Sequence, residues 1–425
     1  MPQAVVWRES CLGGLVLPGP AGERNPMRRS TWLLLLIGLA SSLVLFAPAF
    51  DNPLRDDDLV FLGHVIAHPG LRDLLRPSPS FAFYRPGALL LFRLEYGLLG
   101  LAGGHYLVVN YLLHVSIAIV LLGLLRAIRV HETAAALGTA LFLVGFGHYA
   151  KQPMWACTSG PMASALLCLL AIRFALRRTE VPDAASHPRR ALAWSAAMLG
   201  ALSLAPLFHE AGLVAPLLLL PILWPRGEKA TGRGILVAFS ALPALAWTLT
   251  LLALSRHYPA YRGAAPQILR VPVYLFRYLG FMLLPIQKSQ LALTPYLQAG
   301  LSGAVVVASA GLVRRGPRSA RLLVLWLYAA LLPFCLIALP DGWLEMRYLY
   351  FAAAPACGLA GMLAATLHEK SRTAGRQLVV ASACAVVIAT LAFELVLEHK
   401  YDRYARQPQN LGELQILARE AQVAP

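Results

Sequence analysis

Long apolar runs alternate with short basic clusters along almost the whole chain. Many windows of 16 to 21 residues carry no charge at all. A hydrocarbon core about 30 Å thick needs about 20 apolar residues of helix to cross it, and these runs reach that length. The pattern predicts eleven spans, at about 31–50, 105–125, 132–149, 161–177, 191–208, 211–225, 234–254, 296–313, 321–339, 348–367 and 377–396. Apolar and polar residues do not alternate singly, which sets aside a membrane barrel. The predicted fold class is an all-α polytopic membrane protein.

Two further apolar segments stop short of a span. "PGALLLFRLEYGLLGL" (86–101) holds Arg93 and Glu95, and "VPVYLFRYLGFMLLP" (271–285) holds Arg277. Both are expected to lie as interfacial or re-entrant helices in outer loops 51–104 and 255–295. Composition agrees with a membrane domain: the chain is 58% hydrophobic and 14% charged, against about 25% charged in soluble domains. Mean hydropathy is +0.61.

A net charge of +16 raises the question of nucleic acid. The basic residues instead fall in short loops on one side of the predicted spans, as the positive-inside rule requires. With the N-terminus inside, inner segments hold 21 Lys/Arg and 7 Asp/Glu, and outer segments hold 16 and 14. No nucleic-acid partner follows from this pattern. An odd number of spans puts the C-terminus outside. The expected location is a bacterial inner (plasma) membrane, with a cytoplasmic N-terminus and a periplasmic active face.

Three domains are expected. Residues 1–30 are rich in Pro and Gly and read as a disordered lead, with "MRRSTW" at Met27 as the natural start. Residues 31–396 form the transmembrane domain. Residues 397–425 form an outer tail, in which "NLGELQILAREAQ" predicts a short amphipathic helix with Leu411, Leu414 and Leu417 near one face. The six cysteines show neither metal-ligand spacing nor a disulfide framework.

The acids now have an address. Asp56, Asp57 and Asp58 follow the first span, on the outer side, with Glu210, Asp341 and Glu345 on the same side. A carboxylate there is either a helix-capping loop acid or a base. Adjacent acids near low dielectric repel one another and raise at least one pKa, which suits a general base. In an extended triplet, Asp57 would point away from Asp56 and Asp58. Arg347 and Arg85 stand at headgroup depth, where a guanidinium fork matches phosphate oxygens. Ionisable His209 and Glu210 between two close spans mark a candidate substrate contact. Lys151 and Glu345 join them. Tyr348, Tyr350, Trp343 and Trp155 are candidates for stacking on sugar rings or for the interfacial aromatic belt. His105, His148, Asn110 and His114 read as interhelical hydrogen-bond partners.

The segment "YRPGALLLFRLEYGLLG" resembles, at matching spacing, the "YRP…F.LDY.L.G" stretch of membrane O-mannosyltransferases of the transmembrane-and-TPR type. Those belong to the GT-C superfamily of polyprenyl-phosphate-dependent glycosyltransferases. "NYLLH" supplies Asn110 and His114, "HEAGLVAPLLLLP" resembles the family's "KE…PLLLL", and "MRYLYFAAAPACGL" resembles "ERYLYLP..GFCL". The chain departs from the pattern at Met346, where the family has Glu, and at His209, where it has Lys. No TPR repeats follow the last span. The resemblance implies an acid of the first outer loop as general base and aligns its paired acids with Asp57 and Asp58.

The expected activity is therefore transfer of a sugar, with mannose the one the resemblance implies. The donor is a polyprenyl-phosphate-linked sugar, and the acceptor is a hydroxyl of a protein, lipid or glycan. No metal motif, Gly-rich phosphate loop or soluble nucleotide-binding segment is present, so the lipid-linked sugar is a donor substrate and no further cofactor is implied. The alternative is a transporter or flippase of a lipid-linked sugar. That reading expects acids near the bilayer midplane and internal repeats.

Overall fold

A computed structural model gives the structure of the chain and describes residues 29–77, 83–145, 152–181, 186–223, 230–254, 268–283, 294–335, 344, 346–370 and 407–423. Among the described residues there are helices and no strands. The helices are α1 (Arg29–Phe46), α2 (Asp57–Ala67), α3 (Leu71–Leu74), α4 (Pro86–Leu99) and α5 (Gly103–Ala127). Next come α6 (Glu132–Val144), α7 (Ser159–Thr179), α8 (Pro188–Phe208), α9 (Ala215–Leu223) and α10 (Ala230–Leu254). The last are α11 (Val271–Leu283), α12 (Thr294–Arg315), α13 (Arg318–Cys335), α14 (Tyr350–Lys370) and α15 (Pro408–Val423).

Eight helical stretches among the described residues are long and apolar enough to cross a membrane. All eight coincide with predicted spans. Two other predicted spans are shorter than expected. The one at 132–149 ends at Val144 after 13 residues, a rise of about 20 Å. The one at 211–225 opens as a 3-10 turn, Glu210–Val214, before the nine residues of α9. The eleventh, 377–396, lies outside the described residues, as do Lys151, His148, Asp341, Trp343 and Glu345. The two short segments expected at the interface are α4, of 14 residues, and α11, of 13.

Burial follows from what each helix meets. The main core gathers residues from α5 to α9, α11, α13 and α14. The helices α1, α10 and α12 turn leucines, valines and aromatics outward, among them Leu36, Leu245 and Val307, as a lipid-facing surface should. Lipid tails give no hydrophobic drive between helices, so close association rests on small residues and shape. Between α6 and α14, Gly361 lies against the backbone of Ala134 and Gly138, and a Cβ there would overlap the Ala134 carbonyl oxygen. At the start of α7, Gly160 receives Ala88 of α4, and a Cβ there would sit 2.6 Å from the Ala88 methyl. This contact seats α4, and with it Arg85 at its N-terminus.

The C-terminal helix α15 packs on α2 through Leu414 and Leu417. Leu411, expected on the same face, is exposed. The helix needs only two leucines because α2 presents a narrow surface, with Gly63 under Leu417.

Replacing Gly361 by Leu should cost about 1–3 kcal/mol through overpacking. Gly200, with no neighbour within 4 Å of a Cβ, should tolerate Ala with a gain of about 0.5–1 kcal/mol. Thermal unfolding of the detergent-solubilised variants reads both. An unchanged melting temperature for Gly361→Leu would contradict the close α6–α14 packing.

Candidate functional site

Several helical segments begin at one end of the bundle and two end there. The starts include α2, α4, α7 and the Met346–Leu349 turn that leads into α14. The ends are α8, at Phe208, and α13, at Cys335. Between them lies a cavity of about 430 Å³, within the range of small-ligand sites. Its charged wall holds Asp57, Arg85 and Arg347, with His209 beside them. Its deeper wall is apolar, with Leu89, Pro161, Ala165, Phe334 and Phe351. Helix N-termini carry partial positive charge and favour anions.

The acid triplet is not extended. Asp56 takes a left-handed φ of 46° as the residue before α2, and the helix starts at Asp57. With a ψ of −121° it lies outside the αL basin, in backbone that glycine adopts more readily than a residue with a Cβ. Successive helical residues then point about 100° apart, which separates the pair. The Asp57 side chain is half exposed and lines the cavity. Asp58 is 2% exposed. Its Oδ2 accepts from the Arg55 N–H at 3.2 Å and its Oδ1 from the Cys157 N–H at 2.7 Å. Burial pushes its carboxyl up to about 6, against the opposing pull of these N–H groups and of the Arg55 charge. The cause expected from sequence, mutual repulsion of the three acids, is not the one at work there. The two candidate acids thus part, as an extended triplet would also have had them do, but through a helix start: Asp57 lines the cavity and Asp58 is walled into the frame.

Two ion pairs join distant parts of the chain. Arg347 Nη1 lies 3.0 Å from Asp57 Oδ2, with 28% and 50% of the two side chains exposed. Arg85 grips Glu210 with Nε at 2.9 and 3.2 Å and Nη2 at 2.7 Å, with 17% and 14% exposed. Exposed single-contact pairs contribute about 0–1 kcal/mol. Removing one member of a largely buried, forked pair costs about 3–5 kcal/mol. Arg85, expected to hold phosphate, is thus committed to a carboxylate. Glu210, expected to meet substrate, is turned to Arg85.

A single turn underlies this wall. Between α6 and α7 the chain runs through 3-10 turns at Gln152–Met154 and Ala156–Thr158. Arg55 donates to the Met154 carbonyl at 3.3 Å, and Asn110 donates to the Trp155 carbonyl at 2.5 Å. Asp58 takes the Cys157 N–H, and Glu95 accepts from the Ser159 hydroxyl at 3.1 Å. The guanidiniums of Arg55 and Arg347 lie 5.5 and 5.2 Å from the Trp155 ring centroid. The Trp155 ring is therefore a shelf for two guanidiniums. Glu95 is 4% exposed. Burial raises its carboxyl to about 8, and the Asp58 charge adds to this against the Ser159 hydrogen bond.

His209 is buried at the cavity and its Nδ1 accepts from the Ala211 N–H at 3.0 Å. Burial first, then the Arg85 charge, lowers it to about 3. The ring is neutral, so the 3.8 Å approach of Nδ1 to Glu210 is not an ion pair, and Nε2 carries the proton. Tyr350 and Tyr348 also line the cavity and are buried, away from any belt. Tyr348 stacks on Phe334 at 4.6 Å. Tyr350 meets His114 Nδ1 at 2.8 Å, and His114 Nε2 meets the Leu143 carbonyl at 3.2 Å. A carbonyl only accepts, so Nε2 is the donor and the Tyr350 hydroxyl donates to Nδ1. His114 is the interhelical partner expected, Asn110 instead holds the turn at 152–158, His105 is exposed, and Arg277 lies against Tyr274, away from the cavity.

Sequence reasoning left Arg55, Glu95 and Ser159 without a role. The signal was present for two of them. Arg55 adjoins the acids, and Glu95 is an ionisable residue in a short apolar run, which is costly unless it is paired or functional. No metal-holding group of three or more His, Cys, Asp or Glu exists among the described residues.

The folded-state pKa of Glu95 lies above its unfolded value of 4.5. Folding therefore takes up a proton between about pH 4.5 and 8, and stability is lost as pH rises through that window. Glu95→Gln keeps an acceptor for Ser159 and removes the titration. The variant should show a flatter stability–pH curve and exceed the wild type near pH 8 in thermal unfolding. An equal slope in both proteins would place the titrating group elsewhere.

No protein-family model matches the chain, and no curated protein sequence matches it. Solved structures do. An oligosaccharyltransferase of Archaeoglobus fulgidus, tethered with an acceptor peptide containing the NVT sequon, is similar with a TM-score of 0.53 at 14% identity. The match covers 89% of this chain and 56% of that one. The archaeal oligosaccharyltransferase AglB from Archaeoglobus fulgidus, in complex with an inhibitory peptide and a dolichol-phosphate, gives the same TM-score, identity and coverage, 0.53, 14%, 89% and 56%. ArnT from Cupriavidus metallidurans in the apo state matches with a TM-score of 0.48 at 14% identity, over 92% of this chain and 77% of that one. The chain spans little more than half the length of the archaeal enzyme, and at these identities what the two share is a fold: an all-helical, polytopic membrane domain.

Proposed function

We propose that the protein is an integral-membrane glycosyltransferase, inverting at the anomeric carbon, with a polyprenyl-phosphate sugar as donor. The acceptor is a hydroxyl of a protein, lipid or glycan, and mannose is the sugar that the O-mannosyltransferase resemblance favours. One observation carries this reading. Asp57 and Arg347, 290 residues apart, meet at 3.0 Å on a cavity whose deeper wall is apolar. A base, a phosphate-binding cation and an apolar wall are what this reaction needs in one place. The dolichol-phosphate bound to the archaeal protein of the same fold supports a lipid-phosphate donor.

In this reading Arg347 holds the donor phosphate, and Asp57 accepts the acceptor's hydroxyl proton. The oxygen attacks the anomeric carbon as its bond to the phosphate oxygen breaks, and the electron pair leaves with the phosphate. Asp58 and Glu95 position the turn beneath, and Arg85–Glu210 braces the wall. His209 Nε2–H is a donor for a sugar hydroxyl.

Purified protein incubated with radiolabelled polyprenyl-phosphate sugars tests the activity. Asp57→Asn keeps shape but accepts no proton, and turnover should fall by at least about 10²-fold. Arg347→Ala should weaken donor binding by about 2–4 kcal/mol, with Arg347→Lys a partial rescue because a point charge does not reproduce the fork. Normal turnover in Asp57→Asn ends the base assignment. Transport of the donor between leaflets without transfer would favour the flippase.

In this reading the cavity faces outward, which the basic composition of the opposite loops supports, and the contact of α15 with α2 supports a C-terminus on that same side. An alkaline phosphatase fused to the C-terminus should be active in a bacterial host. A signal only from a cytoplasmic reporter there would reverse the orientation.

A further inference from the structure

Among the described residues, each cation at the cavity already faces a carboxylate. Arg85 is held by Glu210, Arg347 by Asp57, and Arg55 lies beside Asp58. A phosphate entering this wall upsets the balance and must take a cation from an acid. The two cavity pairs differ in how readily they yield. Arg85–Glu210 is forked, with three contacts between 2.7 and 3.2 Å, and largely buried. Arg347–Asp57 rests on one nitrogen at 3.0 Å with half of the acid's side chain exposed.

We infer that the donor's phosphate displaces Asp57 from Arg347, so that donor binding itself releases the base. This rests on the lipid-phosphate reading above and adds a regulation to it. A phosphodiester offers two non-bridging oxygens to the guanidinium fork, where Asp57 engages a single nitrogen. The starts of α2 and α7 add positive potential for the incoming anion. Trp155 keeps the Arg347 guanidinium on its ring, 5.2 Å from the centroid, so a small swing exchanges partners without loss of the shelf. Once Arg347 is on phosphate, the Asp57 oxygen that accepted from the guanidinium is open to the acceptor's hydroxyl. Without donor the acid stays paired.

The exchange has a sign that an ordinary binding residue does not share. Removing Asp57 removes the phosphate's competitor, so Asp57→Asn should bind tighter, whereas loss of a true ligand weakens binding. The test measures affinity for undecaprenyl phosphate, and separately for inorganic phosphate. It compares the full chain in lipid nanodiscs with Asp57→Asn, Arg347→Ala and the double variant. Thermal unfolding of each confirms the fold. The expected result is about two- to fivefold tighter undecaprenyl phosphate binding in Asp57→Asn, strong loss in Arg347→Ala, and no gain from Asp57→Asn in the Arg347→Ala background. Equal or weaker binding in Asp57→Asn, with the wild type still binding, overturns the exchange and leaves the lipid-phosphate reading standing. If no folded protein binds undecaprenyl phosphate, the reading falls and the exchange with it. Inorganic phosphate showing the same sign and the same Arg347 dependence upholds the exchange and assigns recognition to the phosphate rather than the lipid.

Discussion

Backbone that leaves the helical state inside a membrane protein must find its hydrogen bonds in other side chains, because lipid supplies none. The turn at 152–159 is where this chain meets that demand. Arg55 and Asp58 at the start of α2, Glu95 of α4 and Asn110 of α5 close on its carbonyls, N–H groups and hydroxyls. All four are buried. The turn in return presents Trp155, Cys157 and Thr158 to the charged wall. The position of Arg347 depends on Trp155, and that of Asp57 depends on where α2 begins. Both trace back to this one clamp.

The charges around the cavity divide by burial into fixed and exchangeable ones. Arg85–Glu210 ties the N-terminus of α4 to the end of α8, while the close seat of Ala88 on Gly160 holds α4 against α7. That side of the wall is rigid by construction. Arg347–Asp57 bridges α2 and the turn before α14 across a wetter opening. The neutral residues follow the same logic. His209 and Tyr350 each have one polar atom committed to a protein partner, which fixes their proton positions. A site of this kind combines a stiff frame with one loose ion pair, and the loose pair is where a ligand acts.

Much of this was legible along the chain. Charge-free runs located ten helices at their proper places, because helix in lipid follows from the absence of charge over a fixed length. The basic loops gave the expected orientation. Asp57, Arg347, His209, Tyr348 and Tyr350 were singled out by their place at the outer ends of spans, and the fold brings them to one cavity. Lengths were less legible: α6 stops early and α9 starts late, after a 3-10 turn, since apolar composition does not say where a helix gives way to a turn packed against its neighbours.

Partners were not legible at all. Asp57 and Asp58 are adjacent and chemically identical, yet one opens to the cavity and the other is walled in. That difference comes from a helix start at a positive-φ Asp56 and from a Cys157 N–H 99 residues away. Arg85 and Arg347 both read as phosphate cations, and only their acids, 125 and 290 residues distant, tell them apart. The sequence by itself determined which segments are helical, which loops are basic and which residue types stand at the ends of the apolar runs, because these depend on composition over a local window. Only the tertiary structure decided which acid is exposed and which arginine is committed, because burial and pairing are set by the neighbours that packing brings from elsewhere in the chain.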